Sequence, residues 1–145
     1  MKSIYFENQG SEKNSQIIDA NLDRAKEGLR VVEDWCRFYL TNKDLVIQLK
    51  DWRQQLGTHH SKKYKFARCI STDQGIGLTH PAQEKRTTSE EIVSANCSRV
   101  QEALRVLEEF ARKTNPPLSK ISVEIRYGLY EIEIKILKAS LYLQR

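Results

Sequence analysis

Residues 17–37 read IIDANLDRAKEGLRVVEDWCR, and residues 92–112 read IVSANCSRVQEALRVLEEFAR. The two segments are offset by 75 residues, and ten of their 21 aligned pairs are identical. The identical pairs are Ile17/Ile92, Ala20/Ala95, Asn21/Asn96, Arg24/Arg99, Glu27/Glu102, Leu29/Leu104, Arg30/Arg105, Val31/Val106, Glu33/Glu108 and Arg37/Arg112. Self-similarity of this extent predicts an internal duplication, and the presence of only two copies favours a pseudo-twofold domain over a solenoid.

Both segments have the residue pattern of an amphipathic helix. Apolar side chains recur at helical spacing in the first segment, at Ile18, Leu22, Ala25, Leu29 and Val32. Alanine, leucine, arginine and glutamate are frequent in both segments, and all four are good helix formers. We therefore predict two helices, the first starting near Ser15 and the second at Ser89.

Each segment is followed by a second predicted helix. The first of these covers residues 43–56 and is expected to end at Gly57, because glycine commonly follows the last residue of a helix. The second covers residues 118–143, where a strand-like alternation is followed by a helical period. Its length and the duplication favour a helix, and Arg53 then aligns with Arg126.

These elements predict an all-α fold, in which two αα-hairpins related by a pseudo-twofold axis pack as a helical bundle. Residues 1–15 are expected to form a flexible tail, and residues 16–145 a single helical domain. The first copy covers about 16–57 and the second about 89–143. The long central loop, 58–88, is expected to lack regular structure, and connections of this length are often functional.

Composition places the chain among globular proteins, with 39% hydrophobic and 30% charged residues in 145. The formal net charge of +5 suits an anionic partner, either a phosphorylated small molecule or nucleic acid. The three cysteines form no CxxC pair, and the N-terminus has no apolar signal sequence. We therefore expect a cytoplasmic protein that does not associate with membranes.

Four polar residues fall within the apolar arc of the duplicated helices: Asn21, Arg24, Asn96 and Arg99. Burial of such groups is costly unless they find partners. One interpretation is structural: each arginine pairs with the glutamate three residues later, and the asparagines pair across the pseudo-twofold axis. The other interpretation is an anion site, in which the arginines bind a phosphate.

The central loop carries a second set of candidate residues: Arg68, Asp73, Gly75, Glu84, Lys85 and Arg86. Basic residues near glycines can bind phosphate, and the carboxylate of Asp73 or Glu84 can hold Mg²⁺ through oxygen. The alternative is a solvated surface loop. The histidines and cysteines lack a zinc spacing, so no zinc site is predicted and no residue is assigned as the ligand of a resident metal. The chain also has no P-loop and no dinucleotide fingerprint.

Four stretches of the chain resemble successive landmarks of one family. They are DANLDRAKEGLRVVEDWCRF, FARCISTDQGIGLTHPAQEKR, ANCSRVQEALRVLEEFARK and IRYGLYEIE. Together they resemble the N-terminal domain of cyanobacterial-type thiamine-phosphate synthases, from about residue 16 onward. In the loop, Asp73 and Gly75 match the family pattern, whereas Gln74 stands where a proline is expected.

The resemblance implies a role in thiamine biosynthesis. The synthases join a pyrimidine diphosphate to a thiazole phosphate on a TIM barrel, which needs at least ~200 residues. A chain of 145 residues is therefore not expected to catalyse that synthesis by itself. The resemblance also links this domain to phosphorylation of hydroxymethylpyrimidine phosphate, which would require ATP and Mg²⁺.

We therefore predict a domain that binds or phosphorylates a pyrimidine phosphate. The predicted binding residues are Asn21, Arg24, Asn96, Arg99, Arg68, Asp73 and Arg86. A first alternative is a scaffold that forms homo-oligomers or docks a synthase barrel, for which apolar residues should be exposed along Tyr127, Tyr130, Ile134 and Leu141. A second alternative is a nucleic-acid-binding domain, which the interleaved acidic residues disfavour.

Overall fold

Helices account for all the regular structure in residues 2–143, which are the residues that the computed structural model describes, with side chains from Gly10 onward. The elements are α1 (Lys2–Phe38), α2 (Lys43–His59), α3 (Lys62–Phe66), a 3₁₀ turn (Ile70–Thr72), α4 (Pro81–Glu84), α5 (Ser89–Ala111) and α6 (Pro116–Leu143). The prediction of an all-α fold is confirmed, and residues 118–143 are helical as predicted.

The four long helices pack as two hairpins. Helix α1 packs against α2 within the first hairpin, α5 packs against α6 within the second, and the α1–α5 contact joins the two. Each hairpin is fastened by an ion pair at aligned positions: Arg53 Nη2 lies 3.4 Å from Glu33 Oε1, and Arg126 Nη2 lies 2.9 Å from Glu108 Oε2. The arrangement is a helical bundle, and the internal duplication itself stays a prediction.

The core lies between these helices and is almost entirely aliphatic. Each long helix contributes fully buried side chains: Leu22 and Leu29, Leu49 and Leu56, Leu104 and Leu107, and Ile125 and Leu129. Burial of one such side chain contributes about 1.5–3 kcal/mol to folding. This shared core fixes the relative positions of α1 and α5, whose outer surfaces line the clefts described below.

Helices α1 and α5 approach each other closely at Gly28. A Cβ atom on Gly28 would lie 2.5 Å from Val100 Cγ2 and 3.3 Å from the carbonyl oxygen of Asn96. Val100 is fully buried and therefore has little room to move. The close α1–α5 crossing thus depends on the absence of a side chain at Gly28.

Two predicted helix ends differ from the observed ones. Helix α1 begins at Lys2, so the predicted start near Ser15 is wrong, whereas the predicted flexibility of residues 1–15 stays a prediction. Helix α2 continues through Gly57 to His59. Gly57 does not adopt the left-handed conformation with which glycine terminates helices, since the glycine with positive φ within residues 2–143 is Gly77.

The central loop contains more regular structure than predicted. Helix α3, the 3₁₀ turn and α4 all fall within residues 58–88. Helix α4 is supported by His80, whose Nδ1 accepts a hydrogen bond from the Ala82 N–H at 3.1 Å, while its own N–H donates to Gln83 Oε1 at 2.9 Å. The expectation of an irregular loop is wrong because local capping of this kind stabilises short helices.

The outer face of α6 carries a row of exposed apolar side chains. Tyr127, Tyr130, Ile134 and Leu141 are exposed as the scaffold alternative predicted, and Leu137 is exposed with them. Within residues 2–143, no helix is both long enough and apolar enough to cross a membrane.

Candidate functional site

A cleft of about 530 Å³, called here the first cleft, lies between α1, α4 and α5. Its polar lining residues are Asn21, Arg24, Gln83, Arg86, Ser98, Arg99 and Glu102. Helices α1 and α5 supply equivalent residues of the two aligned segments, Arg24 and Arg99, from opposite sides. Arg86, which follows α4 on the chain's return to α5, completes the lining.

Within the described part of the chain, the three arginines of the first cleft have no carboxylate partner. Arg24 Nη1 donates a long hydrogen bond of 3.4 Å to Asn21 Oδ1. Among residues 10–143, whose side chains are described, neither Arg24, Arg86 nor Arg99 forms an ion pair. Glu102 is the acidic residue of the lining. The first cleft therefore carries an excess of positive charge.

The structural interpretation of these arginines is contradicted on two points. The predicted pairs of Arg24 and Arg99 with the glutamates three residues later do not form in the described part of the chain. Both arginines are exposed rather than buried. A long arginine side chain can leave an apolar arc and carry its guanidinium to solvent, which is what happens here.

The two asparagines do not pair with each other. Asn21 Nδ2 donates to the Ile17 carbonyl at 2.8 Å, and Asn96 Nδ2 donates to the Ile92 carbonyl at 2.8 Å. Asn21 is buried and its Oδ1 faces Arg24, so it belongs to the cleft. Asn96 lines neither this cleft nor the one described next, so the structure does not bring it together with the other predicted residues.

A second cleft of about 900 Å³ adjoins the first and shares Asn21, Arg24 and Val106 with it. It lies between α1 and the segment from Arg68 to Ile76. Its other lining residues are Lys13, Gln16, Ile17, Asp19, Ala20, Asp23, Arg68, Cys69, Ile70, Thr72, Asp73, Gln74 and Ile76. The two clefts are contiguous, and Arg24 stands on their boundary.

The predicted loop residues divide between the clefts. Arg68 and Asp73 line the second cleft, and Arg86 lines the first, whereas Glu84 and Lys85 line neither. Asp73 Oδ1 accepts a hydrogen bond from the Gly75 N–H at 2.8 Å. Six of the seven predicted binding residues, all except Asn96, therefore lie around one continuous depression.

A cluster of charged and polar side chains around the buried Asp19 holds the loop against α1, and sequence reasoning missed it. Asp19 accepts hydrogen bonds from Arg68 Nε at 2.8 Å and from Arg68 Nη2 at 2.9 Å, and its Oδ1 lies 2.7 Å from His60 Nε2. Arg68 Nη2 also donates to Asp23 Oδ2 at 2.8 Å. The available signal was a pair of differences between the aligned segments, because Ser94 and Ser98 occupy the positions equivalent to Asp19 and Asp23.

The cluster has the residue types of a metal site but also contains a competing cation. Asp19, Asp23 and His60 lie close enough together to ligate one ion. Arg68 already donates to both carboxylates, so an ion would have to displace its guanidinium. Among the acidic residues that line the second cleft, Asp73 is the one without an arginine partner in the described part of the chain.

The cluster predicts a pH dependence of stability. Burial alone would raise the pKa of Asp19, but the hydrogen bonds from Arg68 and His60 outweigh it and lower the pKa below the usual 3.8. Ionised Asp19 therefore stabilises the fold above its unfolded-state pKa, and this stabilisation is lost as the pH falls through the lower folded-state pKa.

We expect Asp19→Asn to be less stable than the wild type at pH 7 and to lose less of its remaining stability below about pH 4. Urea unfolding between pH 7 and pH 3 measures this difference. Asp51→Asn, which removes an exposed aspartate of α2, is the control and should keep the wild-type slope. Parallel pH profiles for Asp19→Asn and the wild type would contradict the assigned role of Asp19.

These features define a class of protein, namely an all-helical domain with a cationic cleft between paired helices. The family model described as "ThiD2 family" matches residues 16–135. The chain therefore belongs to the ThiD2 family.

Curated relatives agree with this assignment. The chain is 59% identical to a thiamine-phosphate synthase of Prochlorococcus marinus (strain MIT 9313), over 97% of this chain and 40% of that protein. It is 60% identical to the thiamine-phosphate synthase of Parasynechococcus marenigrum (strain WH8102), over 87% of this chain and 36% of that protein. For the thiamine-phosphate synthase of Synechococcus sp. (strain CC9311), the identity is 55%, over 96% of this chain and 39% of that protein.

The chain spans about two fifths of the length of the curated relatives that it matches. No solved structure matches it significantly. The predicted resemblance to the N-terminal part of thiamine-phosphate synthases is confirmed, and it relates this domain to thiamine biosynthesis.

Proposed function

We propose that this chain is a hydroxymethylpyrimidine phosphate kinase, which binds the pyrimidine monophosphate in the first cleft and transfers a phosphoryl group to it from ATP. The observation that supports this most strongly is the convergence of Arg24, Arg86 and Arg99, all without ion pairs in the described part of the chain, in that cleft. Guanidinium groups bind phosphate through two parallel hydrogen bonds, and unpaired ones lose no existing salt bridge when they do so.

The family supports a pyrimidine phosphate as the ligand. Membership of the ThiD2 family and similarity to thiamine-phosphate synthases both relate the chain to thiamine biosynthesis. A pyrimidine monophosphate is also small and anionic, which suits a polar cleft of about 530 Å³.

The lining of the first cleft divides naturally between the two parts of such a ligand. Arg86 and Arg99 would bind the phosphate. Asn21, Gln83 and Ser98 offer amide and hydroxyl groups that can hydrogen-bond the ring nitrogens and the exocyclic amine of a pyrimidine. Charge selects the phosphate, and the neutral polar groups orient the ring.

Phosphoryl transfer here needs no general base. The γ-phosphorus of ATP forms a bond to a phosphate oxygen of the pyrimidine monophosphate while its bond to ADP breaks, and the products are ADP and the pyrimidine diphosphate. The second pKa of a phosphate monoester is about 6, so the attacking oxygen is already ionised at neutral pH. The described lining of the first cleft agrees with this chemistry, because it supplies cations and no histidine.

A magnesium ion would accompany the nucleotide and would neutralise charge on its phosphates. Asp73 fits as its protein ligand, because Mg²⁺ is usually held by one or two carboxylates together with substrate phosphates and water. The other two acidic residues of the second cleft's described lining, Asp19 and Asp23, are already bonded to Arg68.

We expect Arg99→Gln to weaken binding of hydroxymethylpyrimidine phosphate by about tenfold or more, because a hydrogen bond to a charged group contributes roughly 1.5–3 kcal/mol. Isothermal titration calorimetry measures this affinity. Arg37→Gln is the matched control, since Arg37 is also exposed, forms no ion pair in the described part of the chain, and lies outside both clefts. Equal losses of affinity in the two variants would contradict the proposed site.

Catalysis is tested separately from binding. Wild-type protein incubated with MgATP and hydroxymethylpyrimidine phosphate should release ADP and form the diphosphate, which ³¹P NMR detects as a new pair of coupled resonances. Binding without product would reduce the function to that of a passive carrier of the pyrimidine.

A further inference from the structure

We propose that the second cleft is the site of the phosphoryl donor, with the nucleobase of ATP against the wall formed by Ile70 and Ile76 and its phosphates directed toward Lys13 and Arg24. This inference rests on the proposed kinase function and assigns its second substrate to a place in the fold.

The first argument is the exposure of two isoleucines. Ile70 is 62% exposed and Ile76 is 56% exposed, yet both line a cleft rather than an outer surface. Across the cleft, Ile17, Ala20 and Val106 supply further apolar surface. Apolar side chains that face each other across an open space suit a flat, largely apolar ligand, and a purine base has two such faces.

The second argument is the distribution of unpaired positive charge. Arg68 also lines the second cleft, but its charge is neutralised by ion pairs with Asp19 and Asp23. Lys13 and Arg24 have no ion pair in the described part of the chain, and both line this cleft. The charge available to a triphosphate is therefore at these two residues.

The third argument is the position of Arg24 on the boundary between the clefts. In-line transfer requires the γ-phosphate of the donor and the phosphate of the acceptor to meet at one point. Among the residues whose side chains are described, only Asn21, Arg24 and Val106 line both clefts. A donor in the second cleft that directs its phosphates toward Arg24 would therefore face an acceptor held in the first.

The cluster around Asp19 explains how an exposed apolar wall can be kept in place. Arg68 begins the segment that carries both isoleucines, and three hydrogen bonds of 2.8–2.9 Å tie its guanidinium to Asp19 and Asp23 on α1. His60 supports Asp19 from the other side. The wall is thus anchored at one end before any ligand binds, which reduces the cost of ordering it on binding.

We expect Ile76→Ser to raise the KM for MgATP by about tenfold, because it removes apolar surface from the contact with the base. The KM for hydroxymethylpyrimidine phosphate should not change. Ile47→Ser is the matched control, since Ile47 is 55% exposed but lies on α2 outside the clefts. Equal KM values for MgATP in the two variants would overturn the proposal while leaving the kinase function intact.

Cys69 offers a second measurement that requires no variant. It is exposed and lines the second cleft, whereas Cys36 and Cys97 are buried. A hydrogen bond with Ser71 also lowers the pKa of the Cys69 thiol, which favours the reactive thiolate. Burial raises the pKa of the other two thiols to about 12, so N-ethylmaleimide should label Cys69 selectively.

A non-hydrolysable ATP analogue with Mg²⁺ should slow the labelling of Cys69 at least severalfold, and hydroxymethylpyrimidine phosphate alone should not. Protection by the pyrimidine but not by the nucleotide would overturn the proposal. Failure of the pyrimidine to bind anywhere, combined with protection by the nucleotide, would instead refute the proposed function and support the nucleotide site.

Discussion

Arg24→Gln is expected to lower kcat for phosphoryl transfer by about 10²–10³-fold, which is the usual cost of removing one preorganised charge from a reacting oxygen. Arg24 is on the boundary between the two clefts and has no ion pair in the described part of the chain. Its guanidinium is therefore placed to stabilise negative charge on the phosphoryl group as it passes from donor to acceptor. Steady-state kinetics with both substrates varied measures the effect.

Arg24→Gln should differ from Arg99→Gln in the kinetic parameter that it changes most. Arg99 lines only the first cleft, so its loss should mainly raise the KM for the pyrimidine phosphate. Arg37→Gln serves again as the control for loss of one exposed arginine. A rise in both KM values at constant kcat would show that Arg24 binds the ground states and plays no special part in transfer.

Gly28→Val is expected to destabilise the fold by about 3 kcal/mol, the upper end of the usual cost of overpacking a core. The Cβ alone would lie 2.5 Å from Val100 Cγ2, and the remaining atoms of the valine would add to the clash. Helices α1 and α5 would have to separate, and the two sides of the first cleft would separate with them. Urea unfolding monitored by circular dichroism measures the loss.

The matched control for this substitution is Gly57→Val. Gly57 is an exposed position of α2 where an added Cβ would meet no atom within 4 Å. Valine and glycine differ by only a few tenths of a kcal/mol in helix propensity, so the control should unfold within about 0.5 kcal/mol of the wild type. Similar losses in both variants would mean that the α1–α5 crossing tolerates a wider spacing than the structure shows.

The helices were predictable from the sequence because their apolar, core-facing residues recur at helical spacing. Leu22, Leu29, Leu104 and Leu107 are all fully buried, and all lie on the apolar faces that the aligned segments predicted. Helix ends were less predictable, as Gly57 shows. Glycine terminates a helix only where the backbone turns left-handed, and that turn depends on neighbouring packing as well as on residue type.

Two of the arginines of the first cleft were predictable from the similarity of the two aligned segments. The repetition of Arg24 as Arg99 singled out both positions, and the structure places them on opposite sides of one cleft. The same argument selected Asn96, which lies outside the clefts although it makes the same hydrogen bond to its own helix as Asn21 does. Equivalence in sequence predicts equivalent positions on a helix, but it does not predict which side the loop will cover.

The Asp19 cluster was not predictable, because its members come from distant parts of the chain. His60 and Arg68 both reach Asp19 on α1 across more than 40 positions of sequence. Neither the spacing nor the local composition of these residues indicates that they meet. Long-range polar contacts of this kind depend on the path of the connecting loop, which periodicity does not determine.

Asp19 of α1 aligns with Ser94 of α5, and this difference affects the symmetry of the domain. Only α1 carries a buried carboxylate at this position, so only α1 can hold Arg68 and the segment that follows it. The carboxylate of Asp19 thus distinguishes α1 from α5, and so does that of Asp23, which also binds Arg68 and aligns with Ser98. If the two halves descend from one ancestor, the acquisition or loss of these carboxylates was a symmetry-breaking step. It would have allowed a chain with two similar halves to bind two different molecules side by side.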